Sequence, residues 1–230
     1  MPKLNWDGNN FRNNQDSSGT VSDNISRNGN LQQGYNHGSL TRGLVAYYPM
    51  EKGQGEILHD GALNNTGQIK GGSSGTNTEP SDLWVNPVLG GNAINFDGED
   101  DYISTENAFL DGLLSSADST ITVSMWIKTT MSSRGDIFNT SDGSTPFLSV
   151  QNSNKGNSGS IDWGIRDDNG NSIQTYTNGG IVDDNAWHHI TCVKRGSTSS
   201  DFEIWIDGSS RNLNYANSQN HQTQTSLISS

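Results

Sequence analysis

"AWHHITCVKRG", residues 186–196, decides how this chain must be read. The stretch holds two adjacent histidines, a tryptophan and the chain's only cysteine. As a metal or nucleophile site it would make the protein an enzyme; as a strand it builds a fold. In a strand, successive side chains point to opposite faces. His188 and His189 then diverge and cannot grip one ion, which would favour i, i+2 spacing or i, i+4 on a helix. The stripe Trp187, His189, Thr191, Val193 alternates with His188, Ile190, Cys192, Lys194. The strand reading expects one histidine buried and hydrogen-bonded and the other nearer a sheet surface. Cys192 reads as a small buried hydrophobe, with no base positioned beside it in sequence. A lone cysteine also excludes an internal disulfide.

Working outward, the same period recurs. "TITVSMWIKT" (120–129) sets Ile121, Val123, Met125 and Ile127 against Thr122, Ser124, Trp126 and Lys128. Further strands are expected at 135–139, 146–151, 160–166, 172–177, 187–195 and 202–207, divided by Gly, Asn, Asp and Ser. "GLVAYYPM" (43–50) reads as an aromatic first strand, and "NAINFDGEDDYIST" (92–105) as strand, Asp-Gly turn, strand. Residues 71–92 read as a long surface loop, and 106–118 as room for one short helical turn. Many short strands with polar turns predict an all-β fold, an antiparallel two-sheet sandwich.

Residues 1–42 differ. Their apolar residues are scattered, so the segment cannot offset the entropy of ordering by itself. It is expected to be an extended N-terminal arm held by neighbouring chains, with Trp6, Phe11, Val21, Ile25, Leu31, Tyr35 and Leu40 as spaced anchors. Residues 43–230 form the sandwich. The formal net charge of −12 argues against a nucleic-acid partner, which would need a basic face. No stretch has the ~20 apolar residues of a membrane helix, and the first residues lack the apolar core of a signal peptide.

Five segments together resemble laminin-G-like domains of the concanavalin A-like lectin/glucanase superfamily. They are "GLVAYYPMEKGQGEILHDGALNNTGQI", "AINFDGEDDYI", "ITVSMWIK", "AWHHITCVKRG" and "FEIWIDGS", in that order. The resemblance implies a concanavalin A-like jelly roll of two curved antiparallel sheets. It also implies a module that binds glycans, proteins or calcium, often without catalysis. One feature departs from the family. Nothing after "NYANSQNHQTQTSLISS" supplies the usual closing strand beside the first. Either the sheet is finished differently or another chain donates a strand, since an unpaired edge invites aggregation.

Three chemistries have candidate residues. Glycosidases need two carboxylates across the scissile bond. The Glu-x-Asp-x-x-Glu run of the superfamily's glucanases is absent, "EDD" (99–101) lies at a turn and "EIWID" (203–207) is spaced differently. Calcium takes several oxygen ligands, which Glu51, Asp60, Asp97, Asp100 and Asp101 offer; the competing reading is that these carboxylates cap turns. A glycan site needs aromatic faces with polar partners. Trp163 and Tyr176 are the leading aromatics, with Trp84 and Tyr215 behind them; Asn139, Asp142, Asp167, Asn169 and Asn185 are the polar partners. Core burial competes for each aromatic. Trp126 and Trp205, inside strands, read as packing residues.

The expected function is a non-enzymatic structural or recognition protein of a virion: a capsid decoration, turret or tail/fibre subunit assembled in the host cytoplasm. Its partners would be copies of itself, other particle proteins and a cell-surface glycan. The alternatives are a cellular carbohydrate-binding or adhesion module, outside the cell or on its surface, and a glycan-active hydrolase.

Overall fold

Alternating apolar residues and frequent polar turns give strands and almost no helix. The computed structural model describes residues 4–6, 11–13, 43–63, 65–71, 75, 79–86, 91–105, 119–131, 133–139, 147–151, 158–166 and 172–215. In chain order the strands are β1 (Leu4–Trp6), β2 (Phe11–Asn13), β3 (Ile57–Leu58), β4 (Gly67–Lys70), β5 (Trp84–Val85), β6 (Ala93–Ile94), β7 (Tyr102–Ser104) and β8 (Ile121–Ile127). There follow β9 (Gly135–Phe138), β10 (Phe147–Gln151), β11 (Ser160–Arg166), β12 (Ser172–Thr177), β13 (His188–Lys194), β14 (Phe202–Ile206), β15 (Ser209–Ser210) and β16 (Leu213–Tyr215). Two short 3-10 turns, Pro80–Leu83 and Ser199–Asp201, are the helical content among the described residues. Every described ladder is antiparallel.

The chain divides into two compact units, Met1–Pro49 with Asp60–Asn64, and Met50–His59 with Asn65–Ser230. In the first, β1 pairs with β2 and sets Trp6 opposite Phe11. Val21, Ile25, Leu31, Tyr35 and Leu40 lie outside the described residues. Residues 43–50, expected as a strand, carry no ladder among the described residues. The carboxylate of Asp60 instead accepts the backbone N–H groups of Tyr47, Ala62 and Leu63 at 2.7, 2.8 and 2.9 Å. A side chain has taken donors that a neighbouring strand would otherwise satisfy.

The second unit holds the sandwich. One sheet runs β16-β12-β11-β10-β9 and the other β15-β14-β13-β8. Leu148, Ile161, Trp163, Ile165 and Ile173 from the first meet Ile121, Ile190, Cys192, Phe202, Ile204 and Ile206 from the second in one core. Each such side chain stabilises the fold by about 1.5–3 kcal/mol through burial. Trp163 joins the layers: its indole N–H donates to the Val193 carbonyl at 3.2 Å and its ring lies 6.4 Å from that of Phe202. Lys194 is buried on the inward stripe of β13, and its ammonium donates to the Ser119 carbonyl at 2.6 Å, as a buried charge requires.

The strands expected over 120–207 match β8 to β14. Two other expectations need correction. Residues 92–105 do run strand, turn, strand, but the two strands do not pair as a hairpin, because β6 pairs with β5 and β7 with β4. At their turn Asp101 accepts the Asp97 N–H at 3.1 Å and Asp97 accepts the Glu99 N–H at 3.0 Å, so side chains replace the ladder. The stretch 71–92 is not wholly loop: it contains the turn Pro80–Leu83 and β5, anchored by the fully buried Leu83. Residues 106–118 lie outside the described residues.

Candidate functional site

The inward stripe of β13 dictates what the other stripe must do. Ile190, Cys192 and Lys194 are buried, so His189 and Thr191 face outward with their cross-strand neighbours. The register places Trp126 beside His189, and Ser124, Thr191, Trp205 and Ser210 in one row. A third row runs Thr122, Val193, Glu203, where Val193 is itself buried. This outer face carries two tryptophans in solvent: Trp126 is 64% exposed and Trp205 36%. Both were expected to pack. Each instead sits on the polar stripe of its strand, Trp126 with Thr122 and Ser124, and Trp205 with Glu203.

Small bonds hold this face. The Trp126 and His189 rings are 5.1 Å apart with planes at 51°. His189 Nε2 and Ser124 Oγ are 3.0 Å apart, and Ser124 Oγ lies 3.2 Å from Thr191 Oγ1. The Trp205 indole N–H donates to Glu203 Oε2 at 3.0 Å, while Glu203 Oε1 pairs with Arg195. The Trp205 and Arg195 contacts hold the Glu203 carboxyl below its ordinary range, so it stays ionised. Adjacent strands lie ~4.8 Å apart and a residue rises ~3.4 Å. Two strands across and two residues along therefore separate the tryptophan Cα atoms by roughly 12 Å.

His188 points away from this face, as the strand reading requires. Its Nδ1 meets Asp207 Oδ2 at 2.8 Å and its Nε2 meets Asp184 Oδ1 at 3.1 Å. Asp207 also accepts the His189 N–H at 2.9 Å through Oδ1. Asp207 and Gly208 both have positive φ, 53° and 74°, which gives the tight turn between β14 and β15. Asp207 raises the His188 pKa most, Asp184 adds to it, and partial burial opposes both. Asp207 is lowered chiefly by His188, and Asp184 chiefly by the Ala186 N–H and then His188. Bonded to both carboxylates, the His188 ring ties the 184–187 loop to the turn beside Trp205. Cys192 is buried, and burial pushes its thiol well above the ordinary range, which removes it as a nucleophile.

The other expected site residues fall in several places. Trp163 is 0% exposed, so its ring cannot stack on a ligand; it packs the core because β11 is the central strand of its sheet. Tyr176 is half-buried and lies opposite Asp162 on the neighbouring strand. Exposed Asn139 bonds Asp136 at 3.5 Å. Trp84 donates its indole N–H to the Gly55 carbonyl at 2.6 Å, Tyr215 is exposed on the edge strand β16, and Asn185 is exposed with φ 65°. Asp142, Asp167 and Asn169 lie outside the described residues.

Of the five carboxylates put forward for calcium, the structure brings Asp97, Asp100 and Asp101 together, with ligand atoms within 4.8 Å of one another. Gly71 and Gly75 let the chain approach them: a Cβ on Gly71 would collide with Asp101, and one on Gly75 with Asp97. Calcium uses six to eight oxygens, and part of this cluster already caps its own turn. Glu51 and Asp60 are not in the group.

The period-2 pattern groups Trp126 with Thr122, Ser124 and Lys128 on β8, and Trp205 alternates with Ile204 and Ile206 in the same way. That alternation was the available signal for this face. A laminin-G-type family model, described as the concanavalin A-like lectin/glucanases superfamily, matches residues 97–229. That span covers more than half of the chain and every strand of the sandwich, β8 to β16. The likeness drawn over residues 43–69 lies outside the match. No curated protein matches the chain.

Proposed function

The chain belongs to the concanavalin A-like lectin/glucanases superfamily, and from that membership we propose that it is a non-catalytic recognition module binding glycan on the outer face of its four-stranded sheet. Membership supports a carbohydrate-binding or structural role; the tryptophan face supports the first. Two solvent-facing indoles on one sheet face, with hydroxyls, an imidazole and a carboxylate between and beside them, are the observation that carries this reading. Aromatic faces stack on sugar C–H surfaces, and polar groups at the same level bond the hydroxyls. Leaving indoles in water forgoes their burial energy, and an exposed apolar patch rimmed by polar groups marks an interaction site.

Catalysis is the weaker reading for this face. A glycosidase acid has a raised pKa. Glu203, the carboxylate beside Trp205, is instead lowered by its bonds to Trp205 and Arg195, which suits binding.

The setting we propose is the surface of a virus particle, with residues 1–42 as the anchor; the composition of that arm supports it. A multi-copy assembly whose arm resists protease is the expected result. A monomer with a protease-sensitive arm would place the module in a cellular adhesion protein instead. Glycan binding itself is tested by calorimetry of the full chain against a panel of oligosaccharides. Binding lost in Trp126→Ala and Trp205→Ala is expected, and a silent panel contradicts the reading.

A further inference from the structure

We infer that the ligand is a neutral, extended glycan, a trisaccharide or longer, lying diagonally across β13 from Trp126 to Trp205. This rests on the glycan-recognition reading above and adds to it the length, charge and direction of the ligand.

Length follows from the register. Trp126 is on β8 and Trp205 on β14, with β13 between them. Their Cα separation of roughly 12 Å is wider than one sugar ring. One ring cannot stack on both indoles, so each takes its own sugar. The sugar between them lies over His189, Ser124 and Thr191, whose polar atoms already form a chain at 3.0 and 3.2 Å. These groups donate and accept alike, which suits hydroxyls.

Charge follows from the pairing on the face. An anionic sugar calls for arginine or lysine forks. Arg195 is engaged by Glu203, Lys194 is buried on the opposite face, and Lys128, exposed two residues past Trp126, is a lone cation rather than a fork. The chain as a whole carries a formal net charge of −12. A sulfated or sialylated chain would meet the ionised Glu203 beside Trp205 and a repulsive field. Direction follows from the edges. β8 is one edge of its sheet among the described residues, and β15, beyond Trp205, lies in the same sheet with Ser210 opposite that tryptophan, so the described strands raise no wall at either end. The face therefore grips the middle of a chain rather than its terminus.

Calorimetry of the full chain with linear neutral oligosaccharides, from disaccharide to hexasaccharide, tests this. Heparin-derived and sialylated oligosaccharides of equal length serve as the charged arm. Affinity should rise steeply between disaccharide and tetrasaccharide and then level. On the tetrasaccharide, Trp126→Ala and Trp205→Ala should each cost about tenfold, within the range that aromatic stacking supplies elsewhere. Each Phe variant should recover part of the loss. Equal affinity for disaccharide and hexasaccharide overturns the extended ligand. Preference for the sulfated or sialylated series overturns its neutrality. Both results leave glycan recognition standing, whereas no binding to any oligosaccharide overturns that reading too. Because Trp126 and Trp205 are exposed, their variants should fold, and the dispersion of amide signals checks that they do.

Discussion

The two faces of β13 use one strand for opposite ends. Inward, Ile190 and Cys192 share a core with Trp163, Ile204 and Ile206. Outward, His189 and Thr191 sit between two indoles left in water. The inner tryptophan satisfies its N–H on backbone and is fully buried; the outer ones keep large faces free at a cost in burial energy. The lesson is that the same residue type on facing sheets can belong to stability or to recognition, and exposure together with the stripe's company decides which.

The largest expected effect breaks the inner side. Trp163→Ala should destabilise the fold by about 3–5 kcal/mol, the range for an aromatic removed from a core. Ile204→Ala should cost about 2–5 kcal/mol. Denaturant titration reads both, and glycan affinity of the protein that remains folded should be unchanged. A Trp163→Ala protein of native stability that no longer binds sugar would reverse the assignment of the faces.

A medium effect concerns the clamp at the end of the strand. His188 is raised when folded, so its contribution is full below its unfolded pKa of ~6.5 and lost as pH rises through its folded pKa. Asp184 and Asp207 are lowered, so theirs is present above ~3.9 and lost as pH falls through their folded pKa values. The clamp is therefore strongest between about pH 4 and pH 6.5. Melting temperature should fall from that window toward pH 8 in the native chain, and the fall should be shallower in His188→Asn. Identical profiles would remove the clamp from the account.

The smallest effect on stability is expected on the outer face. Trp126→Ala should change it by no more than about 0.5 kcal/mol, as for surface substitutions generally. Trp205→Ala should cost somewhat more, since that indole is less exposed and bonded to Glu203. A loss comparable to Trp163→Ala in either variant would mean that the indole packs against something.

Much of this was legible in the sequence. Alternation located β8 and β13 and divided their residues correctly between faces, because one buried face imposes a strict period of two. It separated His188 from His189 for the same reason. Alternation does not say whether the outer stripe is covered; large apolar area pulled Trp126 and Trp205 toward the core, while Trp163, outside the obvious core runs, stayed among the glycan candidates with burial competing for it. The two-residue strands β3, β5, β6 and β15 have no period to read. The pairing across the turn at 97–101 and the stretch 43–50 were misread because Asp97, Asp101 and Asp60 satisfy backbone donors with side chains, which propensity for strands cannot register.

The most direct test follows the indole N–H signals of the six tryptophans by NMR while a neutral tetrasaccharide is added. Those of Trp126 and Trp205 should move together and saturate at one concentration, with that of Trp163 unmoved. Movement confined to other tryptophans, with these two still, would contradict the account.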